Sequence, residues 1–169
     1  MKNFKVLSKR KEKFKNFSSK QGEPQIRHAK IEDFSSFVSL EKICFKEETF
    51  SKKQLKYLFF RAKSIVLVAA LEGEVVGSMI ILLRERVSYA RIYSLNVHPQ
   101  RRRAGIGRLL MDTALELLKE KGFGKVSLEV GVNNRAAQNL YRQKGFAADK
   151  TLRGYYKDGG DALHLVRKL

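Results

Sequence analysis

Val97-His98-Pro99-Gln100-Arg101-Arg102-Arg103-Ala104-Gly105-Ile106-Gly107-Arg108 carries the chain out of a strand and into a helix, and this junction decides the fold. Upstream, Ser88 to Val97 alternates Tyr89, Arg91, Tyr93, Leu95 and Val97, the period of two expected of a strand with two unlike faces. Downstream, Gly105 to Lys121 repeats Ile106, Leu109, Leu110, Thr113, Leu117 and Leu118 at helical spacing, and Gly122 stops the run. Gly105 and Gly107 leave the main chain bare where the helix begins. The first amides of a helix lack intrahelical acceptors and carry the positive end of its dipole. A phosphate or diphosphate suits such a place, and Arg101, Arg102, Arg103 and Arg108 add charge around it. The competing reading is a glycine-softened turn with solvated arginines, since a bare Gly-x-Gly also arises by chance. The third glycine and later acid of a dinucleotide fingerprint are missing, as is the Lys-Ser/Thr of a P-loop, so both of those folds are disfavoured.

Working outward from the junction, strands and helices alternate towards the C-terminus. Val126 to Val130 reads as a strand, Arg135 to Lys144 as a helix ended by Gly145, and Ala162 to Val166 as a closing strand. Towards the N-terminus a meander is expected. Ser64 to Leu71 and Val75 to Leu83 are rich in β-branched residues and join through Glu72-Gly73-Glu74, a hairpin turn. Ahead of them stand a short strand, Gln25 to Ala29, a helix led by Asp33, and a helix from Ser51 to Arg61 with Ser51 as N-cap. This pattern predicts a mixed α/β, or α+β, sheet in one domain without repeats.

Composition bounds the function. The chain has 169 residues and no run near 18 apolar residues, which excludes a helical membrane span. One cysteine, Cys44, cannot form an internal disulfide, and no cluster has metal-ligand spacing, so no metal is expected. Without an apolar secretory segment at the N-terminus, the expected compartment is the cytoplasm. Thirty-five Lys and Arg against 17 Asp and Glu give a net charge of +18. Residues 1–24 read as a basic, Lys-rich tail, with Phe4, Leu7, Phe14 and Phe17 spaced so that an amphipathic helix is one reading and disorder the other. Such charge favours acidic partners, among them ribosomes and RNA; the bland alternative is an ordinary basic surface.

Two further residues attract attention by their order in the chain. Along Val126-Ser127-Leu128-Glu129-Val130 the apolar side chains share one face, and Ser127 and Glu129 the other. Tyr141 falls in the helical set Ala137, Leu140, Tyr141 and Lys144. Alone, Glu129 reads as a solvated carboxylate and Tyr141 as a core aromatic. Together they follow a phosphate-type loop in sequence, with Asn133-Asn134 between them. His98, beside the strand end, reads either as a proton relay or as a solvated turn residue; Tyr93 lines either a pocket or the core.

These segments, Val97 to Gly107, Leu128-Glu129-Val130 with Asn134, and Asn139-Leu140-Tyr141-Arg142-Gln143-Lys144-Gly145-Phe146, resemble the GNAT superfamily of acetyl-CoA-dependent N-acetyltransferases. The resemblance covers roughly residues 25–169. Within the superfamily, Glu129, Tyr141, Arg153, Tyr155-Tyr156 and Asp161-Ala162 are most similar to the ribosomal-protein-alanine and protein N-terminal acetyltransferases. It implies a single mixed sheet of six or seven strands with about four helices, splayed between the fourth and fifth strands. It implies that Arg102, Arg103, Ala104, Gly105, Ile106, Gly107 and Arg108 hold the CoA diphosphate, that Leu95, Asn96 and Val97 pair with pantetheine, and that Asn134 contacts CoA. By the same likeness Glu129 is the general base, Tyr141 the acid for the leaving thiolate, and Tyr155 and Tyr156 part of a loop clasping a peptide opposite Lys46–Thr49.

The function implied is acetyl transfer to a protein N-terminal α-amine by direct attack on the thioester. Acetylation of a small amine or a lysine is the alternative, and a non-catalytic CoA- or nucleic-acid-binding module the second. Two departures from the family pattern stand out: Gly131 where close relatives often carry arginine, and Lys46-Glu47 where ribosomal-protein acetyltransferases carry Pro-Trp.

Overall fold

The computed structural model describes residues 22–45 and 50–169, so the tail up to residue 21 and the Lys46–Thr49 connection lie outside the described residues. Among the described residues, seven strands form one mixed sheet flanked by four α-helices. In chain order these are β1 (Gln25–His28), α1 (Phe34–Phe45), α2 (Lys52–Phe60), β2 (Ser64–Leu71), β3 (Glu74–Arg84), β4 (Tyr89–Val97), α3 (Ile106–Glu120), β5 (Lys125–Gly131), α4 (Arg135–Gln143), β6 (Ala147–Leu152) and β7 (Ala162–Lys168). The spatial order is β1-β2-β3-β4-β5-β7-β6. All neighbours are antiparallel except β4 and β5, whose parallel pairing requires the crossover through α3.

Local chemistry explains the elements. Glu72 and Gly73 both take positive φ (50° and 86°), as a two-residue turn matched to the twist of the β2–β3 hairpin demands. Ser51 caps α2 by accepting from the Gln54 amide at 3.2 Å. Asp33 stands in a 3-10 turn just before α1 rather than in the helix itself. Its carboxylate takes the Lys30 amide at 2.7 Å and both guanidinium ends of Arg27 at 2.6 and 3.0 Å. The Arg27 hydrogen bond holds that carboxyl below its usual range.

Sequence periodicity misses β6. Ala147–Leu152 reads Ala-Ala-Asp-Lys-Thr-Leu, without apolar alternation, because this edge strand is exposed along nearly its whole length and is held by its ladder with β7.

The sheet buries both faces over its first half. Leu67, Met79, Ile81, Ile92, Leu110, Met111, Leu118 and Leu128 form the core beneath α3 and α4. On the other face Val66 and Ile80 pack against Phe37, Leu55 and Leu58 of α1 and α2. Among the described residues no helix is long and apolar enough to cross a membrane.

One irregularity opens the sheet. Ile80 pairs with Ser94 and Ile81 with Ile92, so Tyr93 is an extra residue in β4. Such a bulge bends the strand and increases its twist. β4 and β5 pair only at Tyr89–Lys125, Ala90–Val126 and Arg91–Ser127; beyond these, both strands continue and diverge. The splayed sheet implied by the sequence motifs is therefore present. Its closed end is pinned by Ser88, whose hydroxyl donates to Gly122 O at 2.7 Å and accepts from the Gly124 amide at 3.0 Å.

Candidate active site

The start of α3 sits at the mouth of the split. Gly77 of β3 permits this: a Cβ there would lie 2.9 Å from Ile106 Cγ2, so only glycine lets the buried Ile106 seat the helix start against the sheet. Gly105 precedes the helix with φ +78° and Arg103 takes φ +65°, left-handed conformations that turn this loop sharply. No side chain caps the helix, and its first turn holds no acidic residue. The first amide tied back is Leu109, on Gly105 O at 3.0 Å, which leaves those of Ile106, Gly107 and Arg108 in the orphan positions of the first turn. A Cβ on Gly105 would meet nothing within 4 Å, so space lies open above it. Ala104 and Arg103 are exposed beside it, and Arg108 reaches Gln143 at 3.3 Å. The cradle fits a diphosphate.

Val97, at the end of β4, links this cradle to the split. Its carbonyl accepts from Arg102 Nε at 3.4 Å and from the Cys44 thiol at 3.5 Å. Burial pushes that thiol up, against the pull of Arg102, so Cys44 serves here as a protonated donor rather than a nucleophile. The next amide, His98 N, bonds back to Val76 O on β3 at 2.9 Å. By strand alternation the Val97 N–H then faces the split. His98 itself is a turn residue, its Nδ1 accepting from the Gln100 amide at 3.3 Å.

Glu129 is not a lone solvated carboxylate. It and Ser127 project from the face of β5 opposite the α3 core, where Ser127 meets the Tyr89 hydroxyl. Arg91 binds Glu129 Oε2 through Nη2 at 2.7 Å and Nε at 2.8 Å, and Glu129 is only 12% exposed. The same guanidinium donates to the Tyr155 hydroxyl at 2.7 Å and lies 5.3 Å over the Tyr93 ring. Burial works against the charge on Arg91, but Glu129 and Tyr155 outweigh it, and its pKa lies above the usual value. Tyr93 in turn stacks on Phe50 at 5.1 Å, which assigns it to packing as well as to the edge of the split.

Tyr141 approaches from the other face, packed at 8% exposure beside Phe146 in the α3–α4 core. Burial, with a contribution from Tyr156, pushes its hydroxyl up to about 12, so it remains a proton donor through the whole neutral range. Asn134 caps α4, its side chain accepting from the Ala137 amide at 3.1 Å. Gln138, which the sequence motifs did not single out, donates to Gly131 O and Val132 O at 2.9 Å each and ties α4 to the open end of β5. A Cβ on Gly131 would lie 3.6 Å from Tyr156 Cε2. That distance is ordinary contact, so the Tyr156 ring packs against the bare face of Gly131. The loop carrying Tyr155 and Tyr156 is itself stiffened by Asp161, which accepts from the Gly154 amide at 2.8 Å.

Sequence reasoning also missed Glu41. It is fully buried on α1, accepts from Asn96 Nδ2, and lies in a pocket where Glu41 Oε1, Asn96 Oδ1 and Ser94 Oγ find no protein partner. The Asn96 side chain is therefore committed to α1, and by the same alternation its backbone faces Ser78 of β3, so at this strand end Leu95 and Val97 are the residues whose backbone faces the split. Burial raises the Glu41 carboxyl to about 7, although the Asn96 bond pulls it down. The neutral acid carries a hydrogen that these orphan acceptors lack. Because the folded state keeps this proton where the unfolded chain has shed it, its stabilisation is full below pH 4.5 and fades as pH rises to about 7. Glu41→Gln should flatten that slope and gain about 3 kcal/mol at pH 8, read from urea unfolding at pH 5 and 8. An unchanged slope would show that Glu41 titrates normally.

Comparison with known proteins agrees with this geometry. A family model described as Acetyltransferase (GNAT) family matches residues 26–146. An N-alpha-acetyltransferase of Sulfurisphaera tokodaii is 32% identical over 168 residues, covering 90% of this chain and 97% of its own. Ard1 from Thermoplasma volcanium, a solved structure, is 28% identical with a TM-score of 0.77, covering 86% of this chain and 97% of its own. A chain of the NatC complex bound to Gag peptide and CoA shares the fold, with a TM-score of 0.78 at 24% identity over 87% of this chain and 99% of its own. A strand bent away from its neighbour by one bulge stands beside an uncapped helix start, and with a family model matched over residues 26–146 the chain belongs to the GNAT family as an acetyl-CoA-dependent N-acetyltransferase.

Proposed function

We propose that the acceptor is a protein N-terminal α-amine, acetylated in the cytoplasm. The observation that carries this reading is the connection running from Glu129 through Arg91 to Tyr155, which ties a two-tyrosine loop to a half-buried carboxylate on the open face of the split. A peptide needs such a clasp and a small amine does not. Relatives with N-alpha-acetyltransferase names support the same reading.

Acetyl-CoA supplies an activated acyl thioester; the residues of this chain do the rest. The amides of residues 103–108, with Arg102, Arg103 and Arg108, hold the diphosphate, and the backbone of Leu95 and Val97, on either side of Asn96, pairs along the pantetheine. The remaining donors of Asn134 contact CoA beside α4. The Val97 N–H stabilises charge developing on the thioester oxygen. Glu129, directly or through one water, removes a proton from the ammonium; Tyr141 protonates the departing sulfur. The demand on Glu129 suits an α-amine. With a pKa of about 7.7–8.0 it must give up roughly one unit at pH 7, whereas a lysine near 10.4 must give up over three. Each unit is about 1.4 kcal/mol.

A panel of peptides differing in the first residue, with a lysine-bearing N-blocked peptide and small polyamines beside them, tests this by CoA release. Turnover of free-N-terminus peptides at least tenfold above the others is expected, since lysine's extra two units cost about 100-fold in neutral amine. Turnover of a small amine alone would reassign the acceptor.

A further inference from the structure

A row of charged side chains crosses the open face of the sheet, and its outer half takes no part in the chemistry above. Arg91 on β4 bridges Glu129 on β5. Glu129 is the direct cross-strand partner of His164 on β7, and His164 that of Lys150 on β6. Directly opposed side chains share a face, with Cβ atoms about 4.5–5.5 Å apart. His164 Nδ1 lies 2.9 Å from Asp149 Oδ2. Asp149 is the extra residue where the β6–β7 register shifts between Ala148 and Lys150. A bulge re-aims a side chain, and here it brings Asp149 to the ring. Exposure climbs outward along the row, from 12% at Glu129 and 15% at His164 to 54% at Asp149.

The reaction needs a way out for one proton. An α-ammonium begins with three N–H protons and the amide product keeps one. Of the two lost, one ends on the CoA sulfur by way of Tyr141, and the other is taken by Glu129 and must reach solvent before the next cycle. Arg91 and Tyr155 cover Glu129 on the β4 side. On the β7 side stands an imidazole, which can accept a proton on one nitrogen while its other N–H is held by a carboxylate. The groups facing that ring are Glu129 from β5 and Asp149 and Lys150 from β6.

We propose that His164, oriented by Asp149, relays the proton from Glu129 to solvent at the β6 edge, acting on the reaction through the base rather than on the substrate. This rests on Glu129 being the base. Asp149 accepts from Nδ1–H, leaving Nε2 to take the proton from Glu129 directly or through one water. The ring then passes it outward, and no further reactant is needed.

Turnover of acetyl-CoA with the best acceptor from the panel, measured in buffer at a few millimolar, tests the relay in His164→Gln and, as the surface variant least able to disturb folding, Asp149→Asn. In weak buffer kcat should fall about tenfold for His164→Gln and severalfold for Asp149→Asn, a part of the usual 100- to 10,000-fold of general acid–base catalysis. Added imidazole should restore both towards the wild-type rate, while the wild type responds little and acetyl-CoA affinity is unchanged. A kcat unaltered in weak buffer, or a loss that imidazole leaves in place, overturns the relay. Glu129→Gln separates the two ideas: full activity in that variant removes the base itself, whereas inactivity alongside buffer-insensitive His164 and Asp149 variants removes only the relay.

Discussion

Glu129→Gln should lower kcat by about 100- to 10,000-fold, the range that a positioned general base contributes, while acetyl-CoA affinity stays within about twofold. The substitution keeps the side chain's shape and still offers Arg91 an acceptor, so the loop tether through Tyr155 survives. What it removes is the ability to take a proton. It also leaves Arg91 without its counter-charge in a partly buried place, so some loss of stability accompanies it. Calorimetric binding of acetyl-CoA beside steady-state kinetics separates the two effects. Tyr141→Phe makes the companion test from the other face of the split: loss of one hydroxyl, with the ring packing on Phe146 retained, should slow turnover less than Glu129→Gln and leave CoA bound. A full rate in both variants would return Glu129 to an ion-pair role and Tyr141 to a packing role.

Gly105→Val should weaken acetyl-CoA binding by more than tenfold without unfolding the chain. Two physical costs act together. At φ +78° a β-branched side chain is strained by roughly 1–2 kcal/mol. Its methyl groups would also stand in the open space above the first-turn amides, where a diphosphate oxygen has to approach. Because no protein atom lies within 4 Å of that Cβ, the fold itself has room for the change; the strain should lower the melting temperature by only about a few degrees, while the blocked approach appears as the loss in the dissociation constant. Unchanged affinity would move the diphosphate away from the α3 start.

Much of this site was legible in the linear order of residues because its parts are local. The uncapped, arginine-rimmed entry to α3 is written in twelve consecutive residues, and the polar face of β5 in five. The strand β6 was not, since an exposed edge strand needs no apolar period. Nor were the partners of single residues. Arg91 stands 38 positions from Glu129 and 64 from Tyr155, and only the register of β4 against β5 and the fold of the β6–β7 loop bring the three together. Glu41 looks like any polar residue on a helix; burial raises its carboxyl to about 7, against the pull of a hydrogen bond from Asn96, 55 positions away.

Taken alone, the amino-acid sequence determined a mixed sheet and a glycine-bared, arginine-rimmed helix start, because short-range periodicity and glycine placement are properties of neighbouring residues; the chemistry of acyl transfer came from the resemblance of its motifs to a family. Tertiary structure alone decided where the sheet splits, through the Tyr93 bulge, and which cation holds Glu129, because pairing register brings distant side chains within a few ångströms. It also decided which side chains the interior had already claimed, Asn96 among them, since desolvation depends on what the rest of the chain packs around an atom.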